Sequence, residues 1–221
     1  MFSVIFEVQI KHDRVDQYLS LASQLKPILE RIDGFIDNER FESRRRPGWL
    51  LSHSTWRDEK SLVRWRTEGE HHQVQERGRY EVFSDYHIRV GNITADTHPP
   101  SGHSVRPQRL DETQVGAAKF VTLTEVVPRF GAGWADQIDR LPEELGLSPS
   151  DPNVIEYDLF ASIYVKGKIA LLVSWRSEES ACRWTPGPSP AGVSMRQRCV
   201  RVVRDYGMFD RREAPQYYPP K

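Results

Sequence analysis

Cysteine is scarce in these 221 residues: only Cys182 and Cys199 are present. Two thiols are too few for a disulfide framework, although their separation does not forbid a bridge. A reducing compartment is expected, and with it a cytoplasmic location. Net charge is also missing, because 31 basic residues balance 31 acidic ones. No global field draws in nucleic acid or an anionic membrane surface. No apolar run approaches the ~20 residues that a membrane span needs. The opening MFSVIFE has no basic segment ahead of an apolar one, so it does not read as a secretory leader. Metal motifs are absent too, with no H-x3-H, HExxH or paired CxxC. No Gly-rich loop joins a strand to a helix, which excludes the nucleotide and flavin dinucleotide fingerprint. Neither nucleic acid, membrane nor metal is an expected partner.

Aromatics are plentiful, with six Trp, nine Phe and eight Tyr to fill cores in a chain long enough for two units of ~100 residues. Self-comparison shows those two units. Shifted by 119, residues 41–65 match 160–184 at nine of 25 positions, including Gly48/Gly167, Trp56/Trp175, Arg57/Arg176 and Trp65/Trp184. Ordinary composition gives roughly one or two such matches. The chain is a duplication.

Each copy reads β-α-β-β-α-β, the ferredoxin-like order. In the first, residues 3–10 alternate as a strand and 13–32 carry apolar residues at helical spacing, with a kink expected at Pro27. Strands at 35–43 and 49–56 flank the turn Arg44-Arg45-Arg46-Pro47-Gly48, whose arginines read as a solvated tip. Asp58 can cap a helix running to Arg79, and 82–93 forms the closing strand. The second copy gives strands at 119–127, 153–162, 168–175 and 198–206, with helices near 133–145 and at 177–184. It has seven fewer residues between Trp184 and its last strand, and Pro186, Pro188 and Pro190 fall there. Most of its second helix is lost, because proline cannot sustain a helix interior. The expected organisation is a first unit at 1–93, a polar linker at 94–117, a degenerate second unit at 118–206 and an extended tail at 207–221. The fold class is α+β. One four-stranded sheet leaves an apolar face bare, so the two units should pack sheet to sheet.

Trp56-Arg57-Asp58-Glu59, Trp65-Arg66, His71, Gln75, Gly78-Arg79 and Phe83-x-x-Tyr86 resemble the antibiotic biosynthesis monooxygenase (ABM) family. So does Arg201-Val-Val-Arg-Asp-Tyr-Gly207 running into Ala214-Pro215. The resemblance implies an α/β barrel made from two ferredoxin-like units, here an internal pseudo-dimer that can also form a homodimer. It places a ligand pocket between sheet and helices within each unit, and a single competent pocket is expected in this chain. The tail is expected to fill the other.

Trp65 and Trp184 fit core aromatics better than ligand walls by spacing alone, as do Trp56 and Trp175. Cys182, aligned with Val63, reads as a small core residue. On an uninterrupted helix His72 shares the face of Trp65, but Gly69 can break that helix and the family pattern matches His71. One histidine is expected in the pocket and the other in solvent. The resemblance implies a cofactor-independent monooxygenase using dioxygen on a small electron-rich aromatic molecule. Trp65 would wall that substrate, His71 or His72 would act as base, Gln75 would orient it, and Arg79 with Tyr86 would stabilise an oxyanion. Two alternatives stay open. One is haem binding or degradation through the histidine pair, although the haem-degrading pattern puts its histidine where this chain has Gln75. The other is a non-catalytic small-molecule-binding protein.

Overall fold

The computed structural model describes residues 1–128, 138–188 and 193–218. Alternating β-branched and aromatic residues form β1 (Phe2–Ile10). The amphipathic α1 (Val15–Leu29) follows and stops two residues after Pro27, which lies in its last turn. β2 (Phe35–Ser43) and β3 (Trp49–Trp56) form a hairpin. Then come α2 (Glu59–Arg66), α3 (Gly69–Arg77), a π-helical turn (Gly78–Val82) and β4 (Phe83–Asp96). The second unit has β5 (Phe120–Pro128), a 3-10 turn leading into the short α4 (Leu141–Glu144), β6 (Val154–Ser162), β7 (Ile169–Trp175), α5 (Glu178–Arg183) and β8 (Val193–Gly207). Most of the helix expected at 133–145 lies outside the described residues. Among those described, no helix is long and apolar enough to cross a membrane.

The eight strands close into one antiparallel barrel in the order β1-β3-β2-β6-β7-β5-β8-β4. Each unit contributes a ferredoxin-like sheet, β4-β1-β3-β2 and β8-β5-β7-β6. The seams are β2–β6 and β4–β8. The duplication is visible in the hydrogen bonds. Arg44 N donates to Leu159 O and Ile163 N to Arg40 O, a pair related by the same shift of 119. Gly48 and Gly167 hold φ of 78° and 80° in equivalent hairpin turns, a region costly for any residue with a Cβ. Ser43 Oγ and Ser162 Oγ each accept two backbone N–H groups of those turns.

Inside the barrel Ile5, Phe41 and Leu51 meet Leu123, Phe160 and Leu172, all buried. Each unit thereby covers the sheet face that its neighbour would leave wet. Charged groups close the ends. Arg46 is not a solvated tip: its Nη2 reaches Glu7 at 2.5 Å, its Nε reaches Asp158 at 2.7 Å, and Arg89 pairs with Glu7 from within. Arg45 lies 4.0 Å over the Tyr157 ring. Buried carboxylates at the barrel end needed cations, and the hairpin supplies them. Cys182 is likewise exposed rather than core, while Cys199 is buried. The short α5 buries only Ala181, one residue away on another face.

Candidate active site

The helix expected over 58–79 is two helices. Asp58 caps α2 as its sequence promises, accepting from Ser61 N at 2.7 Å. The chain then turns extended at Glu68, whose carboxylate accepts from His71 N at 2.8 Å and so starts α3 with a cap of its own. This break brings His71 rather than His72 back over Trp65. The imidazole and indole stack at 3.9 Å between centroids and 14° between planes. His71 Nδ1 donates to Trp65 O at 2.9 Å, so Nε2 keeps the lone pair and faces Gln75 Nε2 at 3.4 Å. Burial pushes the His71 pKa down to about 4, only partly offset by the Trp65 carbonyl. The ring is neutral near pH 7 and is a weaker base than an ordinary histidine. His72 is exposed, near Gln216 and Tyr218.

His71, Trp65 and Gln75 line a cavity of about 210 Å³ between α1, α2, α3 and the outer face of the first sheet, together with Arg79 and Tyr86. Arg79 is buried, and its Nη1 donates to Tyr86 Oη at 3.1 Å and to Met208 O at 2.9 Å. Gly78 makes room for this, since a Cβ there would stand 2.5 Å from the Phe83 ring. Arg211 Nη1 donates to the same tyrosine oxygen at 2.6 Å. Because Tyr86 Oη accepts from two guanidinium groups, its own proton remains to be given to a third partner.

The expected residues therefore do meet, except His72. The cavity is not confined to its own unit, however. Tyr206 and Arg204 of β8, and Arg211, Gln216 and Tyr218 of the tail, complete its wall. The tail was expected at the second unit and is at the first, because β8 pairs with β4 and delivers the chain there. Gln216 Nε2 donates to Gln75 Oε1 at 3.1 Å, linking the tail to His71.

In the second unit the corresponding space holds Ile138, Leu141, Leu145 and Leu147 packed on the sheet. The floor explains the difference. The first sheet presents Asn38, Arg40, Ser52 and Ser54 to its cavity, where the shift of 119 gives Tyr157, Leu159, Leu171 and Val173. Polar and small side chains leave a hollow that apolar ones fill. This contrast was present in the sequence as outward-facing polar residues on two strands.

A histidine that ligates iron through Nε2 commonly holds its Nδ1–H on a carbonyl, as His71 does, while here Nε2 faces the Gln75 amide and one ring face lies on Trp65. Among the described residues no group of three or more His, Cys, Asp or Glu side chains is placed to hold a metal ion.

Residues 1–77 match the family model described as antibiotic biosynthesis monooxygenase. The chain is 44% identical over 225 residues to "Jasmonate monooxygenase ABM" of Pyricularia oryzae (strain 70-15), covering 100% of this chain and 99% of that one. This chain belongs to the antibiotic biosynthesis monooxygenase family. Solved structures that resemble this ABM protein include a putative monooxygenase from Lactobacillus acidophilus NCFM, 10% identical, covering 92% of this chain and 94% of that one with a TM-score of 0.40. A conserved protein from Methanosarcina mazei Go1 is 20% identical, covering 40% of this chain and 88% of that one at a TM-score of 0.38. Likenesses this distant say nothing of chemistry.

Proposed function

We propose that this ABM protein is a monooxygenase acting on a small, mainly apolar carboxylic acid of the jasmonate type, bound in the first-unit cavity. The observation that carries the reading is the charge of a mainly apolar wall: five arginines line it against one glutamate, Glu59. That glutamate is held by Arg109 at 2.9 Å. A wall with this excess of basic over acidic side chains favours an anion inside a pocket of low dielectric. The full-length relative supports the same class, since jasmonate is a carboxylate on a cyclopentanone with an apolar chain.

A phenolic substrate, the class implied by the family resemblance alone, would need a strong base. His71, with its pKa near 4, is poorly matched to a phenol of pKa ~10. In the present reading Trp65 walls the ring system, and Gln75 with His71 accepts or orients a polar hydrogen. Tyr86, backed by Arg79 and Arg211, donates to an oxygen that gains charge. Oxidation of a methylene to a carbonyl balances on dioxygen alone, and we propose that cofactor-free form. Both C–H bonds of the methylene break, one oxygen atom becomes the carbonyl, and the other leaves as water with both hydrogens. The carbon loses four electrons and dioxygen gains them. Hydroxylation would need two further electrons and two protons from a donor.

Incubation of the protein with jasmonic acid under 18O-labelled dioxygen, with and without an added reductant, tests this by mass spectrometry. One labelled oxygen atom per product is expected, and Tyr86→Phe should lower turnover by ~100-fold, the scale of losing one oxyanion donor. Absence of label, or unchanged turnover in Tyr86→Phe, defeats the proposal. A requirement for the reductant defeats its cofactor-free form.

A further inference from the structure

Three of the cavity's arginines converge on one end of it. Arg66 is the last residue of α2, Arg204 lies on β8 and Arg211 lies in the tail beyond it, and all three act electrostatically on the Tyr206 hydroxyl. Arg211 also sits 5.8 Å over the Tyr206 ring. About half of the described arginines are paired with a carboxylate: Arg57 takes Asp33, Arg89 takes Glu7, Arg196 takes Asp96 and Arg201 takes Glu178. Arg66, Arg204 and Arg211 have none within 4 Å among the described residues. The Nε atoms of Arg66 and Arg211 are buried with no hydrogen-bond partner. Gathering three cations costs energy through mutual repulsion, and burying an N–H donor without an acceptor costs more. The carbonyl end of α2 offsets part of the charge on Arg66. It supplies no acceptor to the buried Nε atoms.

We infer that Arg66, Arg204 and Arg211 form a carboxylate subsite beside Tyr206, which fixes the acid end of the ligand and so points its apolar body past Trp65 and toward Tyr86. A carboxylate has two oxygens and about four lone-pair sites, enough to satisfy donors arriving from three elements. The subsite rests on the proposed acid substrate class, and of its three residues only Arg211 also backs Tyr86. It also gives the tail a function. Arg211 contributes one donor to the acid while its Nη2 bonds Gln216 O at 2.8 Å. An acid entering the cavity would therefore tighten the segment that closes it.

Isothermal titration of two matched pairs tests the subsite: jasmonic acid against methyl jasmonate, and octanoate against octanol. The protein should bind each acid at least ~10-fold more tightly than its neutral partner, as expected for charge-assisted hydrogen bonds in a desolvated site. Arg66→Gln and Arg204→Gln should each reduce that preference several-fold, and the double variant should remove it. Arg64→Gln, on the exposed pair with Asp33, should leave it intact. Circular dichroism melts establish that each variant is folded, and the acid-to-ester ratio within a variant is independent of its overall stability. Equal binding of acid and neutral forms by the unaltered protein, or a preference that survives the double variant, overturns the inference. Octanoate selectivity that depends on Arg66, with no binding of jasmonic acid, supports the subsite and refutes the jasmonate-type substrate instead.

Discussion

Two histidines held without charge, His53 buried and His71 half-buried, should make this protein sensitive to mild acid. His71 is pressed between Trp65 and Gln75. His53 lies inside the barrel, within 2.9 Å of Ser3 Oγ, and burial with the nearby Arg198 charge lowers its pKa to about 4. Both start from an ordinary value of 6.5. Above pH 6.5 both are neutral in the folded and unfolded chain, and the full stability is present. As the pH falls, the unfolded chain binds protons first, and each histidine removes up to ~1.4 kcal/mol per pH unit until the folded values near pH 4 are passed. Between pH 7.5 and 4.5 each should cost ~2–3 kcal/mol, or ~5 kcal/mol together, a large share of a typical domain's stability. The Glu125 carboxylate, held to about 2 against its burial by Arg198 and Lys168, loses its contribution mainly below this window. Urea unfolding at constant ionic strength, at pH 7.5 and 4.5, measures the loss. His71→Asn and His53→Asn should each lose about half as much between the two pH values as the unaltered protein. The comparison is made within each variant, so any intrinsic cost of the substitution cancels. Equal losses in all three proteins would show that burial does not hold these rings neutral.

Trp65→Ala should remove the surface on which His71 is stacked. Stability should fall by ~2 kcal/mol, less than for a fully buried Trp because Trp65 is half-buried. The His71 pKa should rise toward 6.5 as water reaches the ring, read from its imidazole NMR shifts, and an unmoved value would refute the stacking argument. Gln216→Ala should break the link between tail and Gln75, increasing the ligand off-rate ~10-fold in stopped-flow with little change in melting temperature; an unchanged off-rate would show that the tail does not close the site. Ser54→Val installs the residue the second unit carries at Val173 and takes away the acceptor of Trp56 Nε1, now 3.0 Å from Ser54 Oγ. It should cost ~1–3 kcal/mol in urea unfolding. Adding Val4→Thr copies Thr122, which accepts from Trp175 Nε1 at 2.9 Å, and should restore most of that loss while ligand affinity stays reduced. Failure of the rescue would mean that the two floors are not interchangeable.

The sequence alone determined the architecture. Nine matches at one offset required two like units, and a half-covered sheet in each required that they share a core. Alternation located the strands, Asp58 marked the start of α2, and the prolines after Trp184 pointed to the unit whose second helix is short among the described residues. These are local signals, set by backbone conformation and by a period of two or 3.6 residues. What depended on distant contacts needed the tertiary structure. The break at Glu68 arose because its carboxylate caps a new helix, and only that break decided between His71 and His72. The depressed pKa of His71 follows from what buries it, which no neighbour in sequence reveals. Arg46 looked like a loop charge until the barrel end brought Glu7 and Asp158 to it. The tail, with Arg211, Gln216 and Tyr218, has no periodicity to read. Its position follows from barrel closure alone, which sets β8 beside β4 and carries the end of the chain across the first unit's cavity.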